Sequence, residues 1–157
     1  MLKLFSTPRA RRGRHLDDIS KELVSHAVSE VLVVNPFVEN RDLSNTLRQA
    51  GRRNVAVRQI THSPEAEKEP KYREMKHGYY GFLKKDGVRV TFNDMVHARL
   101  IVVDRTFAVT SSMNFITRSS GGASWEAGIV SMEDTVVESA ANSILRLLEK
   151  SESMELA

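Results

Sequence analysis

Apolar residues fall along the chain in two kinds of run, short continuous ones and longer ones with a spacing of three and four. The short runs are LKLFST (2–7), EVLVVNPFV (30–38), NVAVRQIT (54–61), VRVTF (88–92), HARLIVVD (97–104), TFAVTSS (106–112) and EAGIVSM (126–132). They have strand length and are rich in β-branched residues, so each predicts a strand. EVLVV is apolar without alternation, as expected of a strand covered on both faces, and Pro36 marks its end. Between the strands, Leu16, Ile19, Leu23, Ala27 and Val28 make one helical stripe, and RDLSNTLRQAGRR (41–53) predicts a second helix. Residues 62–87 read as a polar loop running into a third helix, and TVVESAANSILRLLEK closes the chain with Val137, Ala141, Ile144 and Leu148 on its buried side. The order predicts an α/β fold: a β-α-β unit first, then an antiparallel addition at one side of the sheet, in one domain over residues 1–157.

Composition narrows the chemistry. The chain has 157 residues, 41% hydrophobic and 27% charged, enough for one core. No apolar run approaches the roughly 20 residues that span a bilayer. The N-terminal tract is basic without an apolar segment before it, so neither a signal peptide nor an anchor is expected; the expected setting is cytoplasmic, with no membrane partner. Zero cysteines exclude disulfides, thiolate zinc sites and cysteine nucleophiles, leaving His, Ser, Thr, Lys and carboxylates for any catalysis. The net charge of +3 is uneven, with the basic excess in the first 60 residues, which favours a polyanionic partner.

The polar residues in the last strands are the chemical signal. His97 and Arg99, two apart at the head of a strand, point to one face, whereas Asp104 has the opposite parity and belongs to the following turn. The next strand runs back beside the first and brings in Ser112 and Asn114, again two apart. A lone histidine at a strand start is usually structural; this spacing of several polar positions is not a lone histidine.

At these residues the chain resembles the phospholipase D superfamily, whose signature is H-x-K-x4-D, six residues, G-S-x-N, and a glutamate about a dozen residues on. The matching positions are His97, Arg99, Asp104, Ser111, Ser112, Asn114 and Glu126, with Arg99 in place of lysine and Ser111 in place of glycine. The nearest resemblance is to small phospholipase D-like endonucleases with one motif per chain. It implies a phospholipase D-like sandwich, a mixed β-sheet flanked by helices on both faces. It implies a metal-independent phosphodiesterase, a nuclease acting on DNA or RNA, with no cofactor and no metal. In that scheme His97 attacks phosphorus, giving a phosphohistidine, while a second imidazole protonates the leaving oxygen. One histidine cannot do both at once, so the resemblance implies a homodimer with His97 of each subunit facing across the axis. Arg99 and Asn114 would hold the phosphate oxygens, Glu126 would orient His97, and Ser112 would complete the site; Asp104 and Ser111 are read as structural members of the motif.

Other features are less specific. Arg9, Arg11, Arg12 and Arg14 form either a nucleic-acid contact or a solvated loop, and Arg118, just past the motif, is a further cation for nucleic acid. Tyr72, Tyr79, Tyr80 and Phe82 interleave with Lys71, Arg73, Lys76 and His77, a pattern that suits helix packing and also base stacking. His62 follows a strand without a partner motif. Asn35 either points at the sheet edge where α/β proteins place ligands or makes an Asx turn before Pro36. Two functions lead, a nuclease and a catalytically degenerate relative that binds nucleic acid or scaffolds a partner; a phospholipase comes third, since no exposed amphipathic segment suggests docking on a membrane. Arg99 is the residue that separates the first two.

Overall fold

The computed structural model describes residues 2–6, 16–37, 42–112, 114–115 and 127–155. Its elements are β1 (Leu2–Ser6), α1 (Leu16–Ser25), β2 (Glu30–Val34), α2 (Asp42–Arg52), β3 (Ala56–Thr61), α3 (Pro70–Lys85), β4 (Arg89–Phe92), β5 (Leu100–Val103), β6 (Phe107–Ser111), β7 (Ala127–Ser131) and α4 (Asp134–Glu155). One seven-stranded sheet runs in the order β1-β7-β6-β5-β2-β3-β4. The pairs β2–β3 and β3–β4 are parallel, and every pair from β2–β5 outward to β7–β1 is antiparallel. This is the predicted β-α-β unit with an antiparallel addition at one side.

β2 sits at the centre because its apolar residues serve both faces. Val31 and Val33 join one core with Leu16 of α1, Leu43 and Leu47 of α2, and Tyr80 and Leu83 of α3. Leu32 and Val34 join the other core with Val137, Ala141, Ile144 and Leu148 of α4. Full burial of each such side chain contributes about 1.5–3 kcal/mol, so the strand is held from both sides. The result is the expected mixed sheet flanked by helices on both faces. Gly128 of β7 is a required glycine, because a Cβ there would lie 2.3 Å from a Leu16 methyl and 2.8 Å from the Thr110 carbonyl oxygen.

Two elements end earlier or start later than their hydrophobic pattern suggests. α1 stops at Ser25, so Val28, expected on its buried stripe, is 82% exposed. β5 begins at Leu100, and His97 to Arg99 approach it as irregular chain. The aromatic run on α3 is split: Tyr79 and Tyr80 are buried, while Tyr72 and Phe82 are exposed.

Beyond the end of α1, Asp104 fixes the chain at the start of β2. After β5 the chain turns through Asp104 and Arg105, both with φ +49, a left-handed conformation that Asp tolerates better than most residues. The Asp104 carboxylate reaches back to the start of β2. One oxygen accepts from the Ser29 N–H (2.8 Å), the Ser29 hydroxyl (2.8 Å) and the Glu30 N–H (2.9 Å), and the other from the Val28 N–H at 2.9 Å. Its own N–H donates to the Glu30 carbonyl at 2.8 Å. Asp104 thus does more than order the turn between the motif strands: it pins β5 to β2. Desolvation pushes its carboxyl up, but the N–H groups of Glu30, Val28 and Ser29 and the Ser29 hydroxyl outweigh that and hold it below the ordinary value.

Asp104→Ala is expected to lower unfolding free energy by about 2–3 kcal/mol, as charge-assisted bonds to several N–H groups are lost. Because the folded-state pKa is depressed, this stabilisation is present above the ordinary carboxylate pKa and disappears as pH falls through the lowered folded value. Urea titrations of both proteins over an acid series check it; a stability difference that does not shrink on acidification would contradict it.

Candidate active site

The sheet collects its chemistry at one edge. The parallel strands β2 and β3 end there, leading to Asn35 and His62; β5 is entered there through His97 and Arg99; β6 leaves there into Ser112 and Asn114. This is the carboxyl edge of the parallel strands, where open α/β sheets bind ligands.

Arg99 is the best-defined member. Its Nε–H donates to Asn114 Oδ1 at 2.7 Å, and Nη1 donates to the His97 carbonyl at 3.3 Å. The Ser111 N–H and the Thr110 hydroxyl both donate to the Arg99 carbonyl at 3.3 Å, so β6 holds the backbone of this residue in ladder register. The guanidinium is therefore oriented from two sides. His97 is exposed at the open edge, two residues along.

The Ser112 side chain is engaged with β7. The Ser112 hydroxyl accepts from the Ala127 N–H at 3.2 Å and sits 3.3 Å from the Ala127 carbonyl, while the Ser112 N–H donates to that carbonyl at 3.0 Å. It fastens β6 to β7. Ser111, which replaces the motif glycine, is the last residue of β6 and not among the described residues with positive φ, which are Asn54, Asp104 and Arg105. A serine fits that extended backbone without strain. Glu126, Arg9, Arg11, Arg12, Arg14 and Arg118 lie outside the described residues.

Three residues that the motif does not contain support this edge. Asn35 is fully buried; its Oδ1 accepts from the Phe115 N–H at 3.2 Å and its Nδ2 donates to the Phe37 carbonyl. It makes the turn around Pro36 and, in the same side chain, ties β2 to the loop that carries Asn114. Nε2 of His62 lies 2.7 Å from the Val96 carbonyl, an acceptor only, so that nitrogen carries the proton and restrains the backbone one residue before His97. His62 is itself fixed, since its N–H donates to the Pro36 carbonyl (3.1 Å) and its carbonyl accepts from the Tyr80 hydroxyl (3.0 Å). Burial pushes the Tyr80 phenol up to about 12, so it stays a donor at neutral pH. Phe37 packs edge-on against the His62 ring with centroids 5.3 Å apart. Its signal in the sequence was only an aromatic after Asn-Pro at a strand end.

The domain is a mixed sheet between helices, with exposed His97 and the bonded Arg99–Asn114 pair at the carboxyl edge of its parallel strands. A family model described as "Cardiolipin synthase, PLD-like domain" matches residues 21–148. Among solved structures, the chain is similar to Nuc from Salmonella typhimurium, a phospholipase D family member (15% identity, 98% of this chain and 94% of that one, TM-score 0.73). It is similar to NucT from Helicobacter pylori (16% identity, 96% of each chain, TM-score 0.75). It also shares its fold with TrmBL2, an archaeal chromatin protein with a novel mode of DNA binding (14% identity, 94% of this chain and 52% of that one, TM-score 0.63). No curated protein matches the chain. The chain belongs to the phospholipase D superfamily.

Asn35→Ala is expected to cost about 1–3 kcal/mol, because it leaves the buried Phe115 N–H without its acceptor. Amide hydrogen exchange should then quicken at Phe115 while the β2–β3 pairing stays protected. Unchanged exchange at Phe115 would show that Asn35 does not hold the loop.

Proposed function

We propose that this chain is a metal-independent phosphodiesterase acting on nucleic acid, with His97 as the nucleophile. The observation that carries the reading is the convergence of an exposed imidazole and an oriented Arg99–Asn114 pair at one sheet edge, from residues at the superfamily's spacing. The fold likeness to Nuc, to NucT and to a DNA-binding chromatin protein supports the polyanionic substrate, as does the net charge of +3.

The reaction follows from the groups present. An imidazole nitrogen of His97 forms a bond to phosphorus as the bond to the leaving oxygen breaks, and a second imidazole gives that oxygen its proton. Water then attacks the phosphohistidine, losing its proton to the second imidazole, and His97 is released. Arg99 spreads its charge over the non-bridging oxygens, whose charge grows in the transition state. The second imidazole is His97 of a symmetric partner, and the exposed position of His97 is compatible with that arrangement. Glu126 is assigned the role of orienting His97, and Arg9, Arg11, Arg12, Arg14 and Arg118 remain assigned to nucleic-acid contact.

A second reading, a binding module that does not cut, rests on Arg99. The ammonium of a lysine would stand where the Cζ of Arg99 stands, so the arginine presents its charge one bond further out. Phosphate is still gripped, but a displacement of about 1 Å from the nucleophile costs on the order of 100-fold in rate. Weak activity is therefore expected, raised by Arg99→Lys by up to about 100-fold. Hydrolysis of a bis-aryl phosphodiester and of single-stranded DNA in EDTA, with His97→Ala as blank, measures it. If wild type and Arg99→Lys both match the blank while nucleic acid still binds, the binding-module reading replaces the nuclease.

A further inference from the structure

The edge also carries an exposed aromatic that the chemistry above does not use. Phe37 is 40% exposed, although it lies between a buried turn and the site. Its backbone is fastened by Asn35, its ring meets the His62 ring at 5.3 Å and 68°, and the Lys76 ammonium lies 5.8 Å from its centroid. Lys76 is in turn held by Glu67 at 3.0 Å and is only 14% exposed. A phenyl ring left 40% exposed costs hydrophobic free energy, yet here three neighbours fix it in place.

The chain of contacts from Phe37 to His62, and from His62 to the carbonyl of Val96, sets this ring one side chain away from the residue preceding His97. We propose that Phe37 is a stacking platform for one unpaired base of a single-stranded nucleic acid, the nucleotide next to the phosphate held over His97 and Arg99. The inference rests on the nucleic-acid reading above and adds the form of the substrate. A ring fixed in advance loses little entropy when a base lies on it, and a base offers its π-face only when it is not sandwiched in a duplex.

Binding measured on the non-cutting His97→Ala protein separates this from catalysis. Fluorescence anisotropy would compare a labelled oligothymidylate, an abasic deoxyribose-phosphate oligomer of the same length, and a blunt duplex. A second substitution, Phe37→Leu, is expected to weaken oligothymidylate binding about 10-fold and to leave the abasic oligomer and the duplex unchanged, while Phe37→Trp restores it. Phe82→Leu, an exposed aromatic far along α3, serves as control and is expected to change nothing. Equal affinity of the Phe37→Leu and parent proteins for oligothymidylate would overturn the proposal. So would a matching loss with the abasic oligomer, which would make Phe37 a support of the fold. Dissociation of a dimer on Phe37→Leu, seen by light scattering, would assign the ring to a subunit contact. Failure of the parent protein to bind any of the three nucleic acids would instead sink the nucleic-acid reading itself.

Discussion

Everything at the candidate site depends on the register in which β5 runs antiparallel to β2. That pairing, from Val31 opposite Val103 to Val34 opposite Leu100, is the seam between the parallel half of the sheet and the antiparallel half. It is locked at both ends by side chains. Asp104 gathers three N–H groups and a hydroxyl at the start of β2, and Asn35 reaches from the end of β2 to the Phe115 N–H. A slip of one residue would turn Ile101 and Val103 out of their core and draw Arg99 away from Asn114. The two buried cores make that slip costly, so the hydrophobic pattern and the polar locks agree on one alignment.

The seam gives the chemistry a rigid base. Arg99 enters β5 at the point where Asn35 leaves β2, and β6 returns Asn114 to within 2.7 Å of its Nε. These residues lie just outside the strand ends, and the bonds from Asn35, His62 and β6 fasten the segments that carry them, the kind of support that catalytic geometry requires. The arginine-for-lysine and serine-for-glycine departures face each other across β5 and β6, the Ser111 N–H donating to the Arg99 carbonyl. The serine is accommodated in extended backbone; the arginine changes only how far the charge projects.

Much of this was legible from the chain itself because it depends on local periodicity. The strands, the four helices and the buried side of α4 follow from spacing, and so does the pairing of the two motif strands around a tight turn. What escaped depends on contacts between distant segments. Asp104 reads as a turn residue, yet its main partners lie about 75 residues away at Val28, Ser29 and Glu30. Ser112 shares parity with Asn114, but its hydroxyl is drawn to Ala127 of β7, and His97 stands ahead of β5 rather than in it. Neither alternative for Asn35 alone was sufficient: its amide makes the turn at Pro36 and its oxygen holds the motif loop. Tyr79 and Tyr80 cannot be told from Tyr72 and Phe82 by composition, since only the packing of α3 decides which face is covered.

The claim that His97 is the nucleophile is tested most directly by looking for its covalent intermediate. The protein would be mixed with a bis-aryl phosphodiester in EDTA, quenched in alkali, under which phosphohistidine persists, and mapped by peptide mass spectrometry. The account predicts an aryl-phosphoryl adduct on His97 that forms within the first turnover and is absent from His97→Ala. Turnover that proceeds with no adduct on His97, or with the adduct on another residue, would contradict it.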